Sequence, residues 1–292
     1  MDIGSTGFLA QSKLRWLRAL GWMVSLAVLL VVAYNGVTRA SLTMLGAATP
    51  TDKLFAACAG ALAVLILYWI GVRTAERRRV SELSLQQLLF ELLAGGVVGA
   101  ALIGSIIGLL WLFGWVVIEP QPITRIALAL RDSIRSGVLE EVLLRLVIFR
   151  LVWRALGIWP ALASSAILFG MLHLANPDSS LFAAIALAAG EGIGIGLYLI
   201  TGRIWASIGM HAAWNFTQGW VFGAAVSGTT DIAGGPLSLH PATGVSDLLS
   251  GGGFGPEASL AALVVSLLAS AAFLYWPWKH GRFIADDQPV SG

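Results

Sequence analysis

The sequence predicts an all-α protein, a polytopic transmembrane helical bundle of about eight spans. Of its 292 residues, 57% are hydrophobic and only 12% charged, against about 25% charged in average soluble domains. The mean hydropathy is +0.82. Apolar residues gather in runs of about 20, the length a helix needs to cross a bilayer. Several of the twelve tryptophans (Trp16, Trp22, Trp69, Trp111, Trp115, Trp276, Trp278) stand near the ends of such runs, where amphipathic rings settle at the membrane–water interface. The single cysteine, Cys58, excludes an intrachain disulfide and a thiolate metal cluster.

The elements follow in order. Lys13, Arg15 and Arg18 precede a charge-free run over 19–38, the first span. It is as long as a spanning helix and lacks a small-residue cleavage site after it, so it is read as an anchor and not as a removed leader. A short polar connection, 39–53, leads to a second span over 54–72, closed by Arg73, Arg77, Arg78 and Arg79. Residues 81–91 alternate leucines with polar positions and are predicted to lie at the membrane surface. The third span, 92–118, carries Gly95, Gly96, Gly99, Gly104 and Gly108, small residues that suit close helix contact in membranes. Pro120 and Pro122 end it. Arg125, Arg131 and Arg135 lead into a fourth helix around Glu140 and Glu141, closed by Arg150 and Arg154. Pro160 opens a fifth span that ends near Asn176. The sixth, 181–200, contains Glu191, and a turn at 201–203 precedes the seventh, 204–225. A Gly-, Ser- and Thr-rich loop, 226–257, separates it from the eighth, 258–276. No internal repeat is visible. The organisation is two N-terminal spans (1–80), a membrane core (81–225), a non-cytoplasmic loop (226–257), and a last span with a cytoplasmic tail (258–292).

Orientation follows from the lysines and arginines. With eight spans, the side holding both termini carries Lys13, Arg15, Arg18, Arg73, Arg77, Arg78, Arg79, Arg150, Arg154, Arg203, Lys279 and Arg282, twelve in all. The opposite side has five: Arg39, Lys53, Arg125, Arg131 and Arg135. Both termini are therefore expected to be cytoplasmic, in a multi-pass integral membrane protein.

Polar residues inside spans carry the functional signal, because a charge in hydrocarbon is costly and is usually paired and purposeful. Glu141 and Arg145 are four apart and share a helix face, whereas Glu140 points about 100° away. Arg145 is thus expected to neutralise Glu141 and leave Glu140 facing a cavity. Two of the four histidines, His240 and His280, lie outside the spans and are read as solvated. His173 closes the fifth span, and His211 shares a face of the seventh with Asn215, again four residues on. Glu191 is read by default as a packing residue; the alternatives are a pair with one of the arginines or hydration of the cavity from the sixth span. The predicted span limits place Glu140 and His173 on the opposite side from His211. Bringing them together requires the Glu140 helix to begin well before Gly137, or the seventh span to start deeper.

Three motifs in order, Glu140-Glu141-x-x-x-Arg145, Phe169-x-x-x-His173 and His211-x-x-x-Asn215, resemble the signatures of the CPBP family. These are the CAAX-protease and bacteriocin-processing intramembrane proteases, often called the Abi family. The resemblance covers about 81–225, which makes that stretch the catalytic membrane core. It implies hydrolysis of a peptide bond of a membrane-associated protein or peptide, with Glu140 activating water. A carboxylate in an apolar cavity makes a general base suited to neutral pH. His173 would help hold the water, and His211 and Asn215 would donate to the developing oxyanion. Glu141 and Arg145 would support the site as a pair. No cofactor is required on this reading. The family is commonly labelled metalloprotease, and Glu140, His173 and His211 are the three ligands a zinc would take. Asn215, a poor zinc ligand but a good oxyanion donor, favours the metal-free version. The expected partners are the lipid bilayer and a membrane-associated protein or peptide, with no nucleic acid. The rival within this fold is a non-catalytic scaffold or immunity protein, which would be expected to lack a motif residue; all six are present. A transporter would show paired repeats of broken helices, and none is found.

Overall fold

Helix α1, Arg15–Leu45, runs through the first apolar stretch and stops at Gly46, whose φ of 66° carries the left-handed turn a side chain resists. Helix α2, Pro50–Gly71, starts at a capping box. Asp52 N donates to Thr49 Oγ1 and Thr49 N donates to Asp52 Oδ2, with Pro50 next in the chain. The computed structural model describes residues 3–46 and 49–284; of the predicted connection, 39–53, residues 39–45 belong to α1 and 50–53 to α2, while 47–48 and the tail beyond 284 lie outside the described residues.

Helix α3 spans Leu88–Leu112. It begins earlier and ends earlier than predicted. Residues 81–87 form two 3-10 turns leading into it, and residues 88–91, predicted to lie on the surface, belong to the helix itself. Past Gly114 the β-branched Val116, Val117 and Ile118 form a strand, β1 (Val116–Pro120), and do not extend the span. Its antiparallel partner is β2, Leu237–Pro241, with Ile118 opposite Leu239. The predicted loop therefore folds back as part of a two-stranded sheet.

The next helical segment is continuous over 126–156. It comprises α4 (Ile126–Arg135), π-helical turns Ser136–Glu140 and Val142–Phe149, and α5 (Arg150–Leu156). After Gly157 come α6 (Ile158–Leu172), α7 (Leu181–Thr201) and α8 (Trp205–Asn215), the last continuing as a π-helical turn through Phe216–Val221. A short α9 (Asp247–Ser250) precedes α10 (Leu260–Lys279), which is capped by Ser259 Oγ. The chain is thus a polytopic helical bundle. Among the described residues six helical stretches are long and apolar enough to cross a membrane: Arg15–Leu45, Pro50–Glu76, Ser81–Leu112, Ile158–Ala175, Leu181–Thr201 and Leu260–Lys279. The other two predicted spans correspond to 126–156, which holds Glu140, Glu141, Arg145 and Arg150, and to the shorter 205–221. Charge in one and length in the other set them apart from the rest.

Two close packings place these polar helices. A Cβ at Gly95 or Gly99 of α3 would strike the carbonyl of Ala206 or Met210 on α8, so those glycines let the two backbones touch. Gly104 and Gly108, grouped with them in the sequence, face open space. At the other end, the first two spans are tied to the 126–156 helix by a buried charge network. Arg150 reaches both oxygens of Glu76 at 2.8 and 2.7 Å, and Trp22 Nε1 donates to Glu76 at 3.0 Å. Arg78 bridges Glu76 (2.8 Å) and Glu82 (2.6 and 2.9 Å). Burial opposes the charge on Arg78, but its hydrogen bonds to Glu82 and the neighbouring negative charges outweigh burial and raise its pKa. Arg150 and Arg154 also donate to the carbonyls of Ile3 and Leu9. Three arginines counted as flanking charges, Arg78, Arg150 and Arg154, are therefore buried. Twelve less three leaves nine flanking charges on one predicted side against five on the other.

Candidate active site

The requirement that Glu140 and His211 meet is met by the first of the two routes: the Glu140 helix begins at Ile126, fourteen residues before it. The π-helical turns on both sides of Glu141 widen the helix at this point, as such turns frequently do at functional sites. Glu140 and Glu141 then diverge. Glu141 is 0% exposed, with Oε1 2.9 Å from Arg145 Nη1. Glu140 keeps 30% of its side chain exposed and lines a cavity of about 260 Å³.

His211 joins the two. Its Nδ1 lies 2.7 Å from Glu141 Oε1 and its Nε2 3.8 Å from Glu140 Oε2. The same oxygen, Glu141 Oε1, faces the Arg145 guanidinium and accepts, so Nδ1 carries the proton of that contact. Donation from Nε2 into the cavity then requires the doubly protonated imidazolium.

His173 sits in a 3-10 turn, His173–Ala175, at the end of α6. Its Nδ1 is 2.7 Å from the Phe169 carbonyl, which can only accept, so in the neutral ring Nε2 holds a lone pair. Phe169 packs edge-on against both histidines, with ring centroids 4.6 Å from His173 and 6.3 Å from His211. This explains the phenylalanine of the second motif as the spacer that sets the two rings. Asn215 lines the same cavity and donates from Nδ2 to Ser136 Oγ at 2.8 Å.

The six predicted residues, Glu140, Glu141, Arg145, His173, His211 and Asn215, thus all line one cavity. Glu191 lines it too and pairs with Arg145 at 3.2 Å. His240 and His280 are far from it in role: exposed, they bond to Ser238 and to the Trp276 carbonyl. Sequence reading missed the wall supplied by the 226–257 loop, where Val226, Ser227, Thr229, Asp231, Ile232 and Glu257 complete the cavity. Glu257 binds Ser227 N and Oγ, both at 2.7 Å, and accepts from Trp214 Nε1 at 3.3 Å, so it ties the loop to α8. Nothing in the loop's Gly-rich composition announces this. Ser136 was the more legible omission, since it lies four residues before Glu140 on the same helix.

The proposed zinc set was tested against this geometry. The Nδ1 atoms of His173 and His211 are engaged by a carbonyl and a carboxylate, which leaves Nε2 of each ring as the nitrogen a metal would take. Among the described residues no group of three or more His, Cys, Asp or Glu side chains is arranged to hold a metal ion.

Comparison with known proteins adds one match. Residues 121–217 fit the family model described as type II CAAX prenyl endopeptidase Rce1-like. All six motif residues fall inside that stretch, which is narrower than the 81–225 suggested by resemblance. No curated protein and no solved structure matches the chain. From three motifs brought to one cavity and this match together, the chain carries a domain of the Rce1-like type II CAAX prenyl endopeptidase family within a polytopic membrane bundle.

Proposed function

We propose that the protein is an intramembrane endopeptidase that hydrolyses a peptide bond of a membrane-associated protein or peptide. The observation that carries this reading is the division of labour in the carboxylate pair: Glu141 sequestered by Arg145 and His211, Glu140 open to the cavity. Glu140 takes a proton from water as the water oxygen attacks the scissile carbonyl carbon. The carbonyl oxygen becomes an oxyanion, for which imidazolium His211 Nε2–H and Asn215 Nδ2–H are the donors. His173 accepts from the attacking water through its Nε2 lone pair. Glu140 then passes its proton to the amide nitrogen, the C–N bond breaks, and an acid and an amine leave. Each of these roles is filled by the chain's own side chains. Both termini are assigned to the cytoplasmic side by the lysine and arginine bias.

The test is hydrolysis of a labelled peptide library by detergent-purified protein, beside Glu140→Gln. Turnover by the wild type and none by a folded Glu140→Gln is the expected result; equal turnover by both would refute the role of Glu140. Stoichiometric metal after purification, loss of activity on chelation and recovery on metal addition would together overturn the metal-free version while leaving the peptidase reading in place.

A further inference from the structure

Glu191 stands outside the three motifs, yet it is 1% exposed at the cavity wall and paired with a motif residue. Its Oε2 lies 3.2 Å from Arg145 Nη2, and its Oε1 accepts from Ser165 Oγ of α6 at 2.6 Å. Arg145 is therefore held between two carboxylates, Glu141 on its own helix and Glu191 on α7. The seat on α7 is shaped for it. A Cβ at Gly194, three residues from Glu191 on the same face, would run into the guanidinium. Glycine there lets the flat group lie against the helix backbone, and Ser207 Oγ of α8 fixes that backbone by donating to the Gly194 carbonyl at 2.9 Å. The resulting chain of contacts runs from Ser165 through Glu191, Arg145 and Glu141 to His211 Nδ1.

We propose that Glu191 is a positioning residue of the site: it holds the Arg145 guanidinium against α7, so that Glu141 and, through it, the His211 imidazole keep one orientation at the cavity wall. The proposal rests on the peptidase reading for its catalytic consequence but not for its structural content. Arg145 is a long, flexible side chain, and a single carboxylate four residues back does not fix both its position and its tilt. A second carboxylate on a neighbouring helix does. Small displacements of a catalytic group are costly, with about 1 Å worth up to about 100-fold in rate.

Two readouts test this on the full chain in detergent, with 15N-labelled histidine. Glu191→Gln is expected to move or broaden the downfield proton resonance of His211 Nδ1–H, and to lower kcat by about 10–100-fold with KM unchanged. Glu191→Asp is expected to recover part of both. A purely packing role would leave the resonance and the kcat-to-KM split as in the wild type, and that result in folded Glu191→Gln overturns the proposal. Should Glu191→Gln not fold, Ser165→Ala removes the hydrogen bond that fixes Glu191 and is read the same way; an unchanged resonance there overturns it equally. If the wild type hydrolyses no peptide, the peptidase reading fails, while the resonance still decides whether Glu191 holds His211.

Discussion

Replacing Arg145 with alanine removes one cation that serves two buried carboxylates. Glu141 is 0% exposed and Glu191 1%, and no other lysine or arginine forms an ion pair with either among the described residues. Removing one partner of a buried pair typically costs about 3–5 kcal/mol, because a charge is left uncompensated in a poor solvent for it. At about 2–4 °C of melting temperature per kcal/mol for a chain of this size, the loss is about 6–20 °C. Glu140→Gln is the contrasting variant. Its side chain is partly exposed, and its nearest charged contact is His211 at 3.8 Å, so its effect on stability should stay within about 0.5 kcal/mol. Thermal unfolding in detergent, followed by tryptophan fluorescence, separates the two: Arg145→Ala loses stability first and activity with it, whereas Glu140→Gln loses activity alone. Adding Glu191→Gln to Arg145→Ala should restore part of the lost melting temperature, since one fewer carboxylate is stranded. A melting temperature for Arg145→Ala within about 2 °C of wild type, or no gain in the double variant, would refute the claim that both carboxylates depend on this arginine.

Asn215→Ala should lower kcat by about 10²–10³ with little change in KM, the usual loss for one oxyanion donor, as measured by steady-state peptide hydrolysis. Gly99→Ala places a methyl against the Met210 carbonyl, and should cost about 1–3 kcal/mol and reduce turnover, because α8 carries His211 and Asn215; melting and hydrolysis measured together check it. For the topology, a cysteine at Thr243, an exposed position beside β2, in a Cys58→Ser background should be labelled by an impermeant reagent from the non-cytoplasmic side only.

The membrane bundle was legible in composition alone, because hydrocarbon leaves the backbone few options besides helices and makes each long apolar run a candidate span. The α7 and α10 limits came within a few residues of prediction for that reason. The divergence of Glu140 and Glu141 was legible too, since four-residue spacing places Arg145 over Glu141 in an α-helical turn and still roughly so in the wider π-helical one found here. What the sequence could not place was the depth of one helix relative to another. Glu140 and His173 were assigned to the opposite side from His211, and only the early start of the helix at Ile126 and the backbone contacts of α3 with α8 bring them to one cavity. Span limits are set by hydropathy, which is insensitive to sliding one helix along its neighbour. The same blindness hid the burial of Arg78, Arg150 and Arg154: a flanking arginine and an arginine bound to Glu76 look alike until the partner helix is in place. It also hid the wall built by the 226–257 loop, where Ser227 donates from its backbone N and its Oγ to Glu257, thirty residues on. Residue chemistry and helical spacing thus determined which side chains are suited to the site. The tertiary packing alone decided that they meet, because contacts between segments distant in sequence leave no period to read.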